Sequence, residues 1–387
     1  MPIVFAVTLC GITVISLIAP VVPEIARDLG LSDLQAGLIV AGASMPGVIV
    51  APLVGVLADR LGRRIVLVAC LVTFGIAGGI SALASSYAML LPLRIIQGAG
   101  GAGLINLSVV IIGDNFTGTE RARWIGFNSA VLTVGITLSS QIGGLLAIGG
   151  HWRRAFLPYL LALPVAAWVW LRLPDRREEV ASTLGEYMRG GLRYALKPAS
   201  LALFLSGTVT FVLIFGVVLF LFVFKLDDQF GLAPVWIGVY LAGGALFAGG
   251  AAALAGRLHA RYSPRALIAV GFGAFGFGYV VMAFGGTLSL MAIAVVLFSI
   301  GEGITIPTMQ TVSTRIAPEQ YRGALVALFT GAARFGQTIG PVIAAALLAG
   351  FGSTFAIAAG AALAGGWAVG IAVAGPRQAS EPAGSQR

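Results

Sequence analysis

Gly55-Val-Leu-Ala-Asp59-Arg60-Leu-Gly62-Arg63-Arg64 is an island of charge between two long apolar runs, 35–57 and 64–84. Each run has about the 20 residues that cross a hydrocarbon core as a helix. The glycines permit a tight turn between them. The same alternation extends in both directions. One run precedes it, at 3–22, and three follow in the first half, at 88–113, 125–149 and 155–172. Six more lie at 199–224, 235–256, 265–285, 288–313, 323–349 and 353–374. Backbone polar groups in hydrocarbon must be satisfied within the segment, so each run is read as a helix. The two-residue alternation of an outer-membrane barrel is absent. The run at 3–22 has no basic segment before it and reads as a retained span rather than a cleaved leader.

Composition agrees with this reading. Of 387 residues, 58% are hydrophobic and 10% charged, against about 25% charged in soluble domains. The 54 glycines suit close helix approach in lipid. Cys10 and Cys70 both lie in apolar runs, there is no CxxC, and His151 and His259 are isolated. No metal site and no cofactor are expected.

The net charge of +9 first suggests nucleic acid, but its placement argues otherwise. With the N-terminus in the cytoplasm, eighteen Lys and Arg fall on that side. Arg27, Arg153, Arg154 and Lys225 fall outside, and Arg94 and Arg334 inside spans. Cytoplasmic loops carry the basic excess, so the charge is a topology signal and both termini are expected inside. Nucleic acid is not an expected partner. The charged stretch 175–198 places Val180, Leu184, Tyr187, Met188 and Leu192 at helical spacing, which predicts an amphipathic helix on the inner surface. The expected organisation is a six-helix half over 1–174, this linker over 175–198, a second half over 199–375 and a cytoplasmic tail over 376–387.

The halves match at a constant offset of 201. Gly37, Ala41, Gly42, Gly55 and Arg60 recur as Gly238, Ala242, Gly243, Gly256 and Arg261. Arg121 and Gly135 recur as Arg322 and Gly336. A parallel repeat of this kind implies an axis along the membrane normal and a central site between halves.

The segment 55–64 resembles the loop signature of the major facilitator superfamily, Gly-x-x-x-Asp-Arg-x-Gly-Arg-Arg/Lys. That resemblance implies an all-α membrane protein of 12 transmembrane helices in two pseudo-symmetric six-helix halves. It makes Gly55, Asp59, Arg60, Gly62, Arg63 and Arg64 a cytoplasmic gate, with Asp114 as the expected partner of Arg63. In the second half Ala260 replaces the Asp and Ser263 the second Gly, so an asymmetric gate is expected. Arg94-Ile-Ile-Gln97-Gly98 resembles the family motif whose Arg is associated with proton coupling. Gly126, Gly135, Gly143 and Gly144 match the span-5 pattern of the family's drug exporters, with Ser139-Ser140 standing where that pattern has Gly-Pro. Gly340-Pro341 keeps it in span 11. His151-Trp152-Arg153 resembles the superfamily's Trp-Arg turn, and the loop 317–323 resembles the inner loop of the bacterial 12-helix drug:proton antiporters.

Glu302 is the one acid deep inside a span, roughly 20 Å from the outer end of its helix, and Arg334 lies at comparable depth. A charge at such depth is a functional candidate. An unpaired carboxylate in a low-dielectric site tends to bind a proton, and a nearby Arg opposes this. The resemblance places spans 1, 4, 7 and 10 around the cavity, so Glu302 and Arg94 are expected to face it from opposite halves. Glu302, Arg94 and Arg334 form the expected proton-coupling set, a structural Glu302–Arg334 pair being the alternative. Gln97, Asn106, Asn128, Gln141, Phe215, Tyr240 and Gln310 are the cavity candidates. Most aromatics of span 7, among them Phe211, Phe220, Phe222 and Phe224, are expected to face lipid.

The resulting expectation is a monomeric inner-membrane secondary transporter that exports amphipathic small molecules against protons. Uptake or facilitated flux of a metabolite such as a sugar or organic anion remains open, as does a transporter-like receptor or lipid-handling protein. No phosphate-binding loop for a primary pump is present. No nucleophile–base pair of an enzyme can be assembled from these spans.

Overall fold

The structure, a computed structural model, describes residues 1–174, 193–259, 261–313, 316 and 322–374. The expected linker helix, with Val180, Leu184, Tyr187, Met188 and Leu192, lies outside the described residues, as does Ala260. So do the side chains of Asp59 and Arg322.

The described secondary structure is helical throughout. In chain order the spans are α1 (Pro2–Asp28), α2 (Asp33–Ser44 continued by Pro46–Leu61), α3 (Arg63–Leu83), α4 (Tyr87–Asn115), α5 (Gly118–Leu146) and α6 (Trp152–Arg172). The second set is α7 (Pro198–Phe230), α8 (Pro234–Leu258), α9 (Pro264–Phe284), α10 (Leu288–Ser313), α11 (322–351) and α12 (353–374). The last two run on as one apolar stretch of 49 residues, Leu325–Val373. At 1.5 Å per residue that is roughly 74 Å, more than twice a hydrocarbon core. Gly352 divides it, with φ +80° and ψ 168°, a backbone conformation that a side chain would resist. Gly62, at φ +98°, makes the equally sharp turn from α2 to α3.

Among the spans that depart from simple helices are α1, α4 and α7. α1 is helical to Ser16, tightens into a 3-10 turn at Ala19–Val21 around Pro20, and resumes from Val22 to Asp28. α4 breaks between Gly101 and Leu104. α7 is a π-helix over Leu213–Phe222. The α7 aromatics correct the sequence expectation: Phe220, Phe222 and Phe224 are buried, and Phe211 and Phe215 half-buried, rather than turned to lipid. Phe222 packs on Tyr240 of α8 and Phe298 of α10.

Two seams join the halves, α2 against α11 and α5 against α8, and they repeat each other. A Cβ on Gly37 would sit 2.8 Å from the Pro341 carbonyl, and one on Gly238 would sit 2.7 Å from the Ser140 carbonyl. Both residues of each pair are offset by 201, so the duplication is present in the packing itself. These approaches lie toward the far rim, where α1 ends. Gly144 there abuts Pro234 and Val235, and Arg27 of α1 pairs with Asp227 of α7. Toward the N-terminal rim, where α1 begins, the seams separate. Gly126 lies one heptad before Thr133, which meets Gly249, and Gly256 lies one heptad beyond Gly249. Gly55 is five turns of helix below Gly37. Among the described residues, a Cβ on Gly55, Gly126 or Gly256 would meet nothing within 4 Å. The halves are therefore closed at the far rim and splayed at the N-terminal rim.

Candidate functional site

Two arginines terminate the two helix breaks. Arg94 is 1% exposed. Its guanidinium donates to Gln97 Oε1 at 2.5 Å and to the Val14 carbonyl at 2.8 Å, and lies 6.0 Å from the Phe156 ring. Tyr159 Oη lies 3.1 and 3.2 Å from the carbonyls of Thr13 and Val14. Pro20 and the 3-10 turn leave the α1 carbonyls short of backbone donors, and a cation there also meets the negative end of the broken helix. The expectation that Arg94 faces the cavity opposite Glu302 is thus corrected. Its guanidinium points into the first half, between α1, α4 and α6. Replacing Arg94 with Met is expected to destabilise the protein by about 1–3 kcal/mol for each buried acceptor left without a donor. A lowered unfolding midpoint in detergent checks this, and an unchanged midpoint would refute the capping role.

Arg334 reaches from α11 across to the first half. It donates to the Ala102 carbonyl at the α4 break, at 3.1 Å, and lies against Gly47 of α2. It does not pair with Glu302, so the structural pair considered from sequence is not formed.

Glu302 has no ion pair or hydrogen bond among the described residues. Ile300 and Ile304 of α10 line an apolar groove with Leu246 and Phe247 of α8 on the outer surface. At 100° per residue, Glu302 projects on the opposite side of α10, inward. The Tyr279 hydroxyl of α9 is buried without a partner among the described residues. Phe298, one turn earlier on α10, packs on Tyr279 and Phe222.

The remaining cavity candidates divide. Asn106 is exposed just beyond the α4 break, and Gln310 is exposed two turns beyond Glu302. Both fall where the halves splay. Phe215 and Gln141 are half-buried. Asn128 is sealed against α1, accepting from Thr8 at 2.7 Å, and Gln97 is committed to Arg94. Tyr240 donates to the Leu288 carbonyl at 3.0 Å, within the second half.

At the N-terminal rim Arg63 pairs with Asp114, both largely buried. Gly62 forms the turn, Arg60 is exposed at the end of α2, and Arg64 lies 5.0 Å over the Trp170 ring. At the far rim Asp28 accepts from Trp152 Nε1 at 2.9 Å and Arg153 at 3.0 Å, so the Trp-Arg turn anchors the end of α1. Lys225 donates to the Ala283 carbonyl at 3.0 Å. Tyr159, Tyr279 and Asp227 were not selected from sequence. Nothing in their local spacing marks them, because each acquires its role from a different helix.

Two helical bundles joined along paired seams, with charged groups at mid-depth, are the architecture of a membrane transporter. The chain belongs to the Major Facilitator Superfamily, whose family model matches residues 4–274 and 226–387. It is 32% identical over 357 residues to the class C tetracycline resistance protein of Escherichia coli, covering 88% of this chain and 87% of the other. It is 28% identical over 354 residues to the quinolone resistance protein NorA of Staphylococcus aureus, with 86% of each covered. With the bacillibactin exporter of Bacillus subtilis it shares 26% over 359 residues, again 86% of each. Among solved structures, a bacterial homolog of the human lysosomal transporter Spinster superposes with TM-score 0.78 at 20% identity, covering 97% of this chain and 94% of that one.

Proposed function

We propose that this transporter exports amphipathic small molecules across the inner membrane in exchange for protons, with both termini cytoplasmic. The observation that carries the proposal is Glu302, a mid-span carboxylate without a cation partner among the described residues, turned inward on α10. Such a group is costly in a membrane unless it is used, and an acid without a fixed counter-ion is free to alternate between proton-bound and proton-free states. Relatives named for quinolone resistance, tetracycline resistance and bacillibactin export support the direction and the breadth of substrate. The basic excess on the N-terminal rim supports its assignment as cytoplasmic. The present arrangement is then inward-facing, and the halves 1–174 and 199–375 move as rigid bodies linked by 175–198. Arg63 and Asp114, with the rest of 55–64, act at the rim that must close when the far rim opens.

Arg334 favours a second reading. Its donors lie at the seam where the halves splay, and an organic anion entering there would meet a cation directly. Substrate flux without proton movement is the signature of that reading.

Proteoliposomes with an imposed pH gradient and a trapped pH dye test the proposal. A quinolone, a tetracycline, bacillibactin, sugars and organic acids are offered in turn. Proton release that appears only with an amphipathic substrate is expected. Substrate movement at a steady gradient would sink the exchange mechanism.

A further inference from the structure

The repeat pairs Arg64 with Arg265, and the two arginines are used differently. Arg265 begins α9 and donates to the carbonyls of Ile371 at 2.8 Å and Ala372 at 2.5 Å, closing the end of α12. An offset of 201 maps Ile371 onto Trp170, so Arg64 stands over the corresponding end of α6. There it makes no such bonds. Its guanidinium lies 5.0 Å over the Trp170 ring, it forms no hydrogen bond or ion pair among the described residues, and its Nε is buried without a partner. A guanidinium carries five donors in a planar fork, and stacking on an aromatic ring leaves all of them unspent.

Directly beside this pair runs an apolar groove of about 410 Å³ between α3 and α6, lined by Val68, Val72, Leu163, Ala167, Trp170 and Leu171. The groove opens on the lipid-facing side, and Trp170 is half-exposed at its N-terminal-rim end. Tryptophan at this depth marks the headgroup level. A chain-shaped apolar slot ending at an arginine with free donors matches a lipid with an acyl chain and an anionic phosphodiester head.

We infer that the α3–α6 groove binds one anionic phospholipid, its acyl chain along Val68, Val72 and Leu163 and its phosphate on Arg64 above Trp170. The inference is independent of the transported substrate and of Glu302. Phosphate recognition by an Arg fork is charge-assisted and bidentate, which separates an anionic head from the zwitterionic choline lipid by charge.

The test is native mass spectrometry of the full chain, titrated with phosphatidylglycerol or phosphatidylcholine of identical acyl chains. The wild type is expected to hold one phosphatidylglycerol with about a fivefold preference, the effect of one arginine near an anionic surface. Arg64→Gln is expected to erase the preference. Arg123→Gln, which removes an exposed arginine of the same rim stacked on Phe127, is expected to retain it. Ala167→Trp keeps Arg64 and fills the groove, so it is expected to lower binding of both lipids. It carries the test if Arg64→Gln is not recovered folded. The proposal is overturned if Arg64→Gln keeps the preference, or if Arg123→Gln loses as much. It is equally overturned if Ala167→Trp binds normally, or if inorganic phosphate alone displaces the lipid.

Discussion

Replacing Glu302 with Gln is expected to uncouple the transporter. For one-for-one exchange, each pH unit of gradient supplies about 1.4 kcal/mol, a tenfold substrate ratio at steady state. The variant should bring that ratio to one while substrate still equilibrates down its own gradient, and the pH dependence of the wild-type rate should vanish. Glu302 lacks a fixed counter-ion among the described residues. Phe298, one turn before it on α10, is aromatic and packs on Tyr279 of α9, and Arg334 is engaged elsewhere. Gln preserves shape and hydrogen-bonding capacity but binds no proton, so folding and substrate access are kept while the exchangeable site is removed. The measurement is accumulated substrate against an imposed gradient in proteoliposomes, with counterflow as the control for substrate access. An unaltered accumulation ratio in Glu302→Gln would remove this residue from the mechanism and leave the anion reading through Arg334.

Much of the architecture was legible because lipid leaves the chain few options. Apolar runs of the right length had to be helices, and their ends appear within a few residues of the expected positions. Three ends are exceptions: α5 begins at Gly118 rather than 125, α7 ends at Phe230 rather than 224, and α1 ends at Asp28 rather than 22, taking Glu24, Arg27 and Asp28 into the helix. Those charges are held by partners from other helices, Arg27 by Asp227 and Asp28 by Trp152 and Arg153. The repeat offset was legible too, and it proved to be a packing rule once Gly37 met Pro341 as Gly238 meets Ser140. Azimuth was not legible. Depth along a span follows from counting residues, but the direction in which Arg94 points depends on which carbonyl of another helix is left for it, here that of Val14 beside the α1 break. The π-helical stretch of α7 and the break in α4 were hidden for the same reason, as was the unequal use of Arg64 and Arg265, which look alike until their neighbours are present.

The far-rim closure is expected to be as sensitive to one added side chain as the site is to a proton. In Gly144→Val, a Cβ would lie 2.4 Å from the Pro234 carbonyl and 2.7 Å from the Val235 Cα. Both obstacles are backbone, so no rotamer change relieves them, and α5 and α8 must separate at this rim. Overpacking of this kind costs about 1–3 kcal/mol. Because the closed far rim is the only state that bears the cost, it becomes a population shift of about 5- to 150-fold toward the state open there. Transport is expected to fall accordingly, since each cycle must pass through the closed arrangement. Spin labels at Leu34 and Phe351, both exposed at the far rim on opposite halves, should report a longer distance than in the wild type. Gly256→Val serves as the comparison. It adds the same bulk on the α8 face of the same seam, at the end where a Cβ meets nothing within 4 Å, and should leave the far-rim distance unchanged. Its effect belongs to the opposite half of the cycle, when the N-terminal rim closes and Gly256 is brought toward Gly126. The two variants should therefore displace the same equilibrium in opposite directions. If both lengthen the far-rim distance, or neither does, then the seams are not the surfaces on which the halves turn.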